Sequence, residues 1–538
     1  NIQVKNTHQF EYDDLNRLIR YDYKDQNGQN LNYTTYQLVA PLNVQPFSFS
    51  NRTYVEGVNH ADGTYKLSKM DASGHLIEST DDGGTIEYTY YSNGQIDKTI
   101  VNGLEMSSAT YDAFGHQSSL TEVNSGTTTY QYNVIGELTA QTDAKGNTIS
   151  NIQYDALGRM THKNMGITGN SSLHQYSFVF NNDPSTVGFG KLESENVSSN
   201  MSFSDTYFYN SNGELIEVRE RAPGNLPDFI TKYEYLGDGR VDKVEYHQAG
   251  QVAVKIAYEY TTNGYLYKVK DQSGILDDPN RNYFEGIEQN EMGQWTEYMH
   301  LDGKLVSKMY DASHRPSEVI VQDLKHRQYA FDANSGNLMN RTNVLQQNEE
   351  EFEYDNLDRL IVANLNGSPF QTNTYQTNGN ISEFGDDVDY IYDAEKVNAL
   401  VKVGSPSSWQ SFNSQVIEYN EKNDPKTIGI PDQKEWEYFY GPNHERRYVN
   451  MKDFSLSPQQ WQQRVYTSNA EYIFEGPDLK SQTIYIQGGD GLAAIVNYNA
   501  DGDDLTMAYA THLDYLGSLE ILSKEDGSLF YEQSFDAW

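Results

Sequence analysis

The chain contains no cysteine. That absence excludes disulfide bridges, thiolate nucleophiles and cysteine-based zinc sites, and it leaves the compartment open, because cytosolic proteins and bacterial surface proteins alike can lack cysteine. No apolar run reaches about 18 residues and no signal peptide is recognisable, so no membrane-spanning helix is expected. The first residue is Asn1 rather than Met, and the chain reads as a piece of something longer. Basic residues are few. Against 77 Asp and Glu stand 39 Lys and Arg, a formal charge of −38 spread along the whole chain. Such a field repels phosphate backbones and anionic lipid heads, which argues against nucleic-acid and membrane partners; its plainest role is solubility.

Aliphatic residues are also sparse for 538 residues, and the mean hydropathy is −0.74. Large greasy cores are therefore hard to fill. Yet 43 tyrosines and a β-branched background are wrong for disorder. Tyrosine joins an apolar ring to a polar tip and suits surfaces packed on one side and wet at the other. The expected product is thin, extensive sheet.

The common catalytic signatures are missing too: no HExxH, no GxSxG and no GxxxxGK[ST]. Twelve histidines are scattered. His512 and Asp514 stand two apart, a spacing that on a strand puts both on one face, and they are read as a sheet corner rather than a ligand or base pair. The acidic stretch Asn499-Ala500-Asp501-Gly502-Asp503-Asp504 offers oxygens to a hard cation but lacks the EF-hand spacing, and is read as a solvated hairpin tip. Paired carboxylates such as Asp386-Asp387 are too common in so acidic a chain to signal acid–base chemistry. No catalytic, cofactor or metal residue is assigned.

What is present is a phrase rewritten with small errors. Met70, Tyr91, Tyr111, Tyr132 and Tyr154 open copies spaced by 21, 20, 21 and 22 residues; Tyr310, Phe331, Tyr354 and Tyr375 are spaced by 21, 23 and 21. Looser copies start at Tyr209, Tyr235 and Tyr260. Each copy has alternating residues, then a corner such as Tyr111-Asp112 with Gly115, Tyr132 with Gly136, Tyr154-Asp155 with Gly158, or Tyr354-Asp355, and then a second alternating run. Alternation on both sides of an Asp/Asn/Gly corner reads as strand, turn, strand. Asp or Asn opens the turn by bonding its own backbone, and Gly or a polar substitute accepts the positive φ. A lone hairpin is marginal in water, so the units must share edges, with tyrosines packing at one register. These residues are read as scaffold.

The phrase resembles the YD repeat of the RHS (rearrangement hotspot) family, which includes bacterial polymorphic toxins, the C components of insecticidal Tc toxins and, more distantly, teneurins. Matching residues run from Tyr12-Asp13 with Arg17-Leu18 to Tyr375 with Gly379. The stretches Tyr438 to Val449, Tyr485 to Tyr498 and Thr511 to Trp538 resemble the RHS core segment, with His512, Asp514, Leu516, Gly517 and Ser518 matching its His-Leu-Gly-Ser block. The resemblance implies an all-β fold: a strip of short antiparallel strands wound in a spiral into a hollow cocoon that in toxin members encloses a C-terminal effector, sometimes with an N-terminal plug. It also implies a DPxGL-type autoproteolysis motif with catalytic aspartates. That motif is not in this sequence: Asp183-Pro184, Asp278-Pro279 and Asp424-Pro425 lack the following Gly-Leu, so no such aspartate is carried over.

Three functions are weighed. The preferred one is a container for polypeptide cargo, the chain's own effector first, with a polar acidic lining that gives a folded guest little grip; secretion-apparatus or surface proteins are further partners, and the place is secreted or on a bacterial cell surface. The second is a surface-displayed scaffold that binds protein or glycan, using tryptophans such as Trp295, Trp409 and Trp461. A glycosidase or other hydrolase on a β framework is the third and least supported. The expected organisation is repeats over 1–396, with loose insertions near 161–206 and 271–300, an irregular continuation over 397–470 containing the Gly441-Pro442 turn, and the RHS core segment over 471–538. Helix should be minor.

Overall fold

The structure is a computed structural model, described here for residues 6–535 other than 15, 17, 26–27, 29, 40–53, 61–64, 72, 168–173, 200, 225, 249–250, 277–281, 334, 386–387, 395–396, 399, 405–409, 412–415, 421–423, 431–432, 442–443, 455–459 and 500–505. The acidic loop at 501–504, Asp386-Asp387, Trp409, Arg17, Asp278-Pro279 and Pro442 lie outside the described residues. The described residues form 46 strands and no helix. Strands pair antiparallel with their neighbours in sequence, as in Gly84–Tyr90 with Ile96–Val101 and Asn348–Tyr354 with Leu360–Leu365. One continuous strip of 35 strands runs from Asn6–Tyr12 to Gln410–Ser411, and a second of 11 strands runs from Val416–Tyr419 to Leu529–Glu532.

One edge of the strip carries the corners and the other carries hairpin tips, one of which, from Asp143 to Asn147, repeats the corner bonds. The strip coils so that the corner edge of a later turn meets the hairpin edge of an earlier one. Ala312 lends its carbonyl to the Tyr23 hydroxyl at 3.4 Å, 289 residues away. Leu357 sits on Gly83, where an added Cβ would come 3.1 Å from its Cδ1. The Asn398 amide donates to Asn124 Oδ1 at 3.3 Å across 274 residues. Later contacts shorten the loop: 242 residues from Asp205 to Arg447, 210 from Asp302 to His512 and 193 from Arg327 to Glu520. At ~4.8 Å per strand, the 23 strands from Gly84–Tyr90 to Asn348–Tyr354 span roughly 110 Å of circumference, and the 18 steps from Lys325–Phe331 to Leu519–Lys524 roughly 85 Å. The coil narrows toward its C-terminal end.

The two faces of the strip differ. In Gly126–Tyr132 the side chains of Thr127, Thr129 and Gln131 are exposed, whereas Thr128, Tyr130 and Tyr132 are half-buried. In Lys325–Phe331, Lys325, Arg327 and Tyr329 are buried and Gln328 and Ala330 exposed. The open face carries acids such as Glu87, Glu234 and Glu353, several in cross-strand pairs with lysine, for example Lys98–Glu105 at 2.7 Å and Lys243–Glu234 at 2.6 Å. Exposed pairs of this kind contribute little to stability. The shielded face carries Tyr, Val, Ile and Phe, and the long hairpin Asp478–Gly488 with Gly491–Asn499 lies over it, pressing its glycine tip on Phe284 and Trp295. A later, narrower turn lying on this face makes it the inner one. The lining is thus mainly aromatic and aliphatic, not acidic as the average composition suggested. Charge separates by strand parity, and a summed composition cannot register that.

Thin sheet describes the first turn well. Between residues 65 and 160 only Ala109 and Ile152 are buried apolar side chains among the described residues. The C-terminal end departs from it. There Phe229, Val254, Ile256, Val269, Phe284 and Trp295 of the repeats share one buried core with Tyr448, Tyr472, Phe474, Ile484, Ile486 and Val496 of the second sheet. The greasy centre expected to be missing is therefore present at the narrow end.

Candidate functional site: the corner ladder and the seams between turns

Most corners are built by one polar residue, although at Tyr91 and Leu236 the corner residue contributes backbone bonds alone. Asp112 Oδ1 accepts the amides of Phe114 at 2.8 Å and His116 at 2.9 Å, while Oδ2 meets His116 Nδ1 at 3.0 Å. Asp155 does the same with Leu157 and Arg159, its Oδ2 taking Arg159 Nε at 2.6 Å, and Asp355 repeats it with Leu357 and Arg359. Burial, the largest influence on Asp112, Asp155 and Asp355, favours protonation, but these bonds outweigh it and hold the carboxyls below their ordinary range. Asn133 follows the inverse scheme: its Oδ1 takes the amides of Ile135 and Glu137, and its Nδ2 donates to Glu137 Oε2 at 2.7 Å. The fourth residue turns left-handed. Gly115, Gly136 and Gly158 have φ of 89°, 87° and 74°, and where glycine is lacking His314 and Asp358 adopt 63° and 59°.

The tyrosines tie one corner to the previous one. Tyr111 donates its hydroxyl to the Ile96 carbonyl at 3.0 Å, Tyr132 to Gln117 at 2.9 Å, Tyr154 to Leu138 at 3.0 Å and Tyr354 to Leu338 at 2.9 Å. Tyr90, Tyr209, Tyr235, Tyr260, Tyr310, Tyr375 and Tyr440 make the same bond. The residue four after the corner completes the relay by stacking on the next aromatic: His116 lies 4.9 Å from the Tyr132 ring, and Arg359 is 4.4 Å from that of Tyr375. Sequence reading found the Tyr, Asp and Gly but missed this partner. Its signal is visible across copies: Asp71, Asp112, Asp155, Asp311 and Asp355 are followed four residues on by His or Arg, whereas Asn133, Asn210 and Asn290 are followed by Glu or Gln.

The block around His512 is another such corner set into a seam. Asp514 Oδ1 accepts the amides of Leu516 at 2.9 Å and Ser518 at 2.7 Å, Gly517 has φ 89°, and Leu516 points into solvent. His512 is buried. Its Nε2 faces Asp302 Oδ2 at 2.9 Å and Ser523 Oγ at 3.2 Å, and Ser523 donates to the same Asp302 oxygen at 2.6 Å. Burial opposes the Asp302 charge, but His512 and Ser523 hold its carboxyl below the ordinary range. Ser, His and Asp here do not form a hydrolytic relay, in which the imidazole uses one nitrogen for serine and the other for aspartate. A single nitrogen serves both, Nδ1 has no partner, and the cluster is sealed. His300 stacks on His512 at 5.4 Å, and burial together with His512 pushes its pKa down to about 3.

Further ionic clusters bolt the seams. Glu520 takes Arg327 Nε at 2.8 Å and also pairs with Lys325, which donates to the Leu513 carbonyl at 2.7 Å. Arg447 forks onto Asp205, with Nη2 2.7 Å from Oδ1, and lies 3.3 Å from Glu220, whose pKa burial raises to about 7 despite the guanidinium. Asp490 accepts from Tyr298 at 2.8 Å and from Lys308. Partners this far apart in sequence leave no local pattern, so sequence reading missed them all. Of the tryptophans, Trp295 is packed and Trp461 is half exposed beneath Lys452. Among the described residues no three His, Asp or Glu side chains gather as a metal would require.

Corner ladder and coiled strip together define an all-β shell made from a tandem repeat. The RHS Repeat family profile matches residues 111–148, and the chain carries an RHS repeat over that stretch. No curated protein matches it in sequence. Among solved structures it is similar to TcdB2-TccC3-TEV (TM-score 0.79, 13% identity), to TcdB2-TccC3 (0.74, 12%) and to a mutant Photorhabdus luminescens Tc holotoxin pore (0.63, 12%). Each match covers 98% of this chain. The chain spans only 30% or 31% of those longer chains. At such identities the likeness is one of fold.

Proposed function

We infer that the chain is the wall of a container: a shell segment of a larger toxin-type RHS protein that encloses a polypeptide, its own C-terminal effector first, for delivery. The observation that carries this reading is the stacking of corner edge on hairpin edge over separations falling from 289 to 193 residues, with a buried core at the narrow end. A wall so built surrounds a space its own side chains do not fill. The aromatic and aliphatic lining changes the expected hold on the guest. A chain kept unfolded can rest apolar side chains on Tyr88, Tyr130 and their neighbours, whereas a folded guest buries those groups in itself. The chain acts without chemistry of its own, outside the cell or at a bacterial surface, and the division at 1–396, 397–470 and 471–538 is retained as its organisation. The solved relatives are complexes of TcdB2 with TccC3, which agrees with a polypeptide partner.

The test is limited proteolysis of the full-length native protein followed by intact-mass analysis. A guest segment that survives protease while the wall is intact, and is digested once the wall is denatured, supports enclosure. Equal digestion of the guest in both states rejects it, and leaves the surface-displayed binding scaffold, with half-exposed Trp461 as a contact, as the reading to pursue.

A further inference from the structure

Two seams between turns differ in their balance of charge. At Glu520 one acid meets two cations, Lys325 and Arg327. At Arg447 the ratio is inverted. Glu195 lies directly opposite Asp205 on the neighbouring strand, and Asp205 directly opposite Glu220, so three carboxyls form one row across Leu192–Ser198, Phe203–Tyr209 and Leu215–Arg221. The row is on the shielded face beside the buried Val197, Phe203 and Val218, and Asp205 and Glu220 are buried themselves. Strand pairing does not ask for acids there: the row of Ala109, Leu120 and Thr128 on the same face carries no charge. Like charges directly opposite one another destabilise a sheet, and the cost grows away from water. Three in a row call for a role that a neutral row cannot fill.

Arg447, on Arg446–Asp453 of the second sheet, closes over the row: it forks onto Asp205, lies 3.3 Å from Glu220 and rests on the Phe203 ring at 5.6 Å. Tyr207 donates its hydroxyl to Glu195 Oε1 at 3.0 Å, and the Ser468 amide donates to Glu220. Glu445 stands near Glu195 and Arg447 and adds a further acid, opposed by Lys163. The phenols of Tyr207, Tyr233 and Tyr472 also face the row, and burial holds them protonated. One guanidinium does not balance three carboxylates out of water, so the row keeps a proton. Burial raises Glu195, and it raises Glu220 to about 7 against the pull of Arg447. Groups this close titrate as a unit. We propose that the acid row and Arg447 form a proton-operated latch between turns, closed while the row shares a proton and loosened when that proton leaves. Glu220 ionises at about 7 in the closed seam and at about 4.3 once released. The latch is therefore at full strength below the lower value and weakens as pH rises through the upper one. A wall fastened in this way is tighter in mildly acidic surroundings than in neutral ones, whatever it encloses.

Hydrogen exchange of the 538-residue chain at about pH 5.5 and about pH 7.5, corrected for intrinsic rates, tests it. Protection in Phe203–Tyr209, Leu215–Arg221 and Arg446–Asp453 should fall about 10- to 20-fold between the two. Protection in Lys325–Phe331, at the seam with surplus cations, should change less than about twofold. Glu220→Gln keeps the shape of the side chain and removes its titration, and in that variant the fall at the Arg447 seam should shrink below about threefold. An infrared difference spectrum between the same two pH values should show a protonated-carboxyl band in the parent that Glu220→Gln lacks. No fall at the Arg447 seam, equal falls at the two seams, or a fall and a band that persist unchanged in Glu220→Gln overturn the proposal. Should the variant misfold, the unmodified chain still decides it: equal falls at the two seams, or no protonated-carboxyl band, overturn the latch.

Discussion

Tyr354→Phe removes one hydroxyl and no carbon, and it tests whether the tyrosine ladder is a hydrogen-bonded device or only a packed one. The hydroxyl donates to the Leu338 carbonyl at 2.9 Å, at the point where the pairing of Phe331 with Leu338 slips register. Burial raises the phenol pKa to about 12, so it stays protonated and donating at any working pH. A neutral hydrogen bond contributes about 0.5–1.5 kcal/mol net, and leaving a buried acceptor unsatisfied costs about 1–3 kcal/mol. Leu338 is 8% exposed, so about 1–2 kcal/mol is expected. Global melting is a poor readout, because a long repeat array need not unfold in one step. Hydrogen exchange resolves the position instead. Amide protection in Leu338–Asn343, Asn348–Tyr354 and Leu360–Leu365 should fall about 5- to 30-fold and recover within one or two repeats, since repeats couple mainly to their neighbours. A fall below about twofold, or one spread evenly over the chain, would refute the ladder as a source of local stability.

His314→Gly should stabilise its corner by about 1 kcal/mol, because His314 holds a left-handed φ of 63° that glycine adopts freely; slower exchange at 311–315 checks it. Arg447→Met should destabilise the seam by about 3–5 kcal/mol, since it strands Asp205 and Glu220 without their cation, and the double variant with Asp205→Asn should recover part of the loss in a denaturant melt. His300, depressed to about 3 in the folded chain against about 6.5 when unfolded, makes stability fall as pH drops from about 6.5 toward 3. His300→Gln should flatten that slope in acid melts. Glu220 acts in the opposite sense: its folded pKa of about 7 lies above the unfolded value of about 4.3, so its contribution declines as pH rises between the two, and Glu220→Gln should remove that decline.

The corners were legible because they are local. Asp112, Gly115 and their copies interact within five residues, and twelve or so repetitions turn a weak turn signal into a strong one. The role of tyrosine was only half legible: packing could be read from its register, but the hydroxyl bond from Tyr111 to Ile96 reaches across a strand pairing the sequence does not display. The i+4 partner was readable in principle, by setting the His or Arg four residues beyond each corner Asp against the Glu or Gln four residues beyond each corner Asn. The seams were not. Arg447 meets Asp205 only because a strip of given curvature returns after 242 residues, and curvature is a sum of small twists over some twenty strands that no motif encodes. The same holds for the core between Phe229 and Tyr472, whose rings meet at 4.2 Å.

Stability along the coil is therefore uneven, and the unevenness has a direction. In the first turn apolar burial is slight, and each strand is held by its ladder bond, its corner and its neighbour. At the narrow end a contiguous core adds roughly 1.5–3 kcal/mol for each large side chain buried, and Glu520, Arg447 and Asp490 bolt successive turns together. Opening in the first turn breaks repeats one at a time, whereas opening at the narrow end must break core and ion clusters at once. Exchange should then be slowest around Val269, Ile486 and Ala510 and faster around Tyr111 and Tyr132, and equal rates at the two ends would refute the direction.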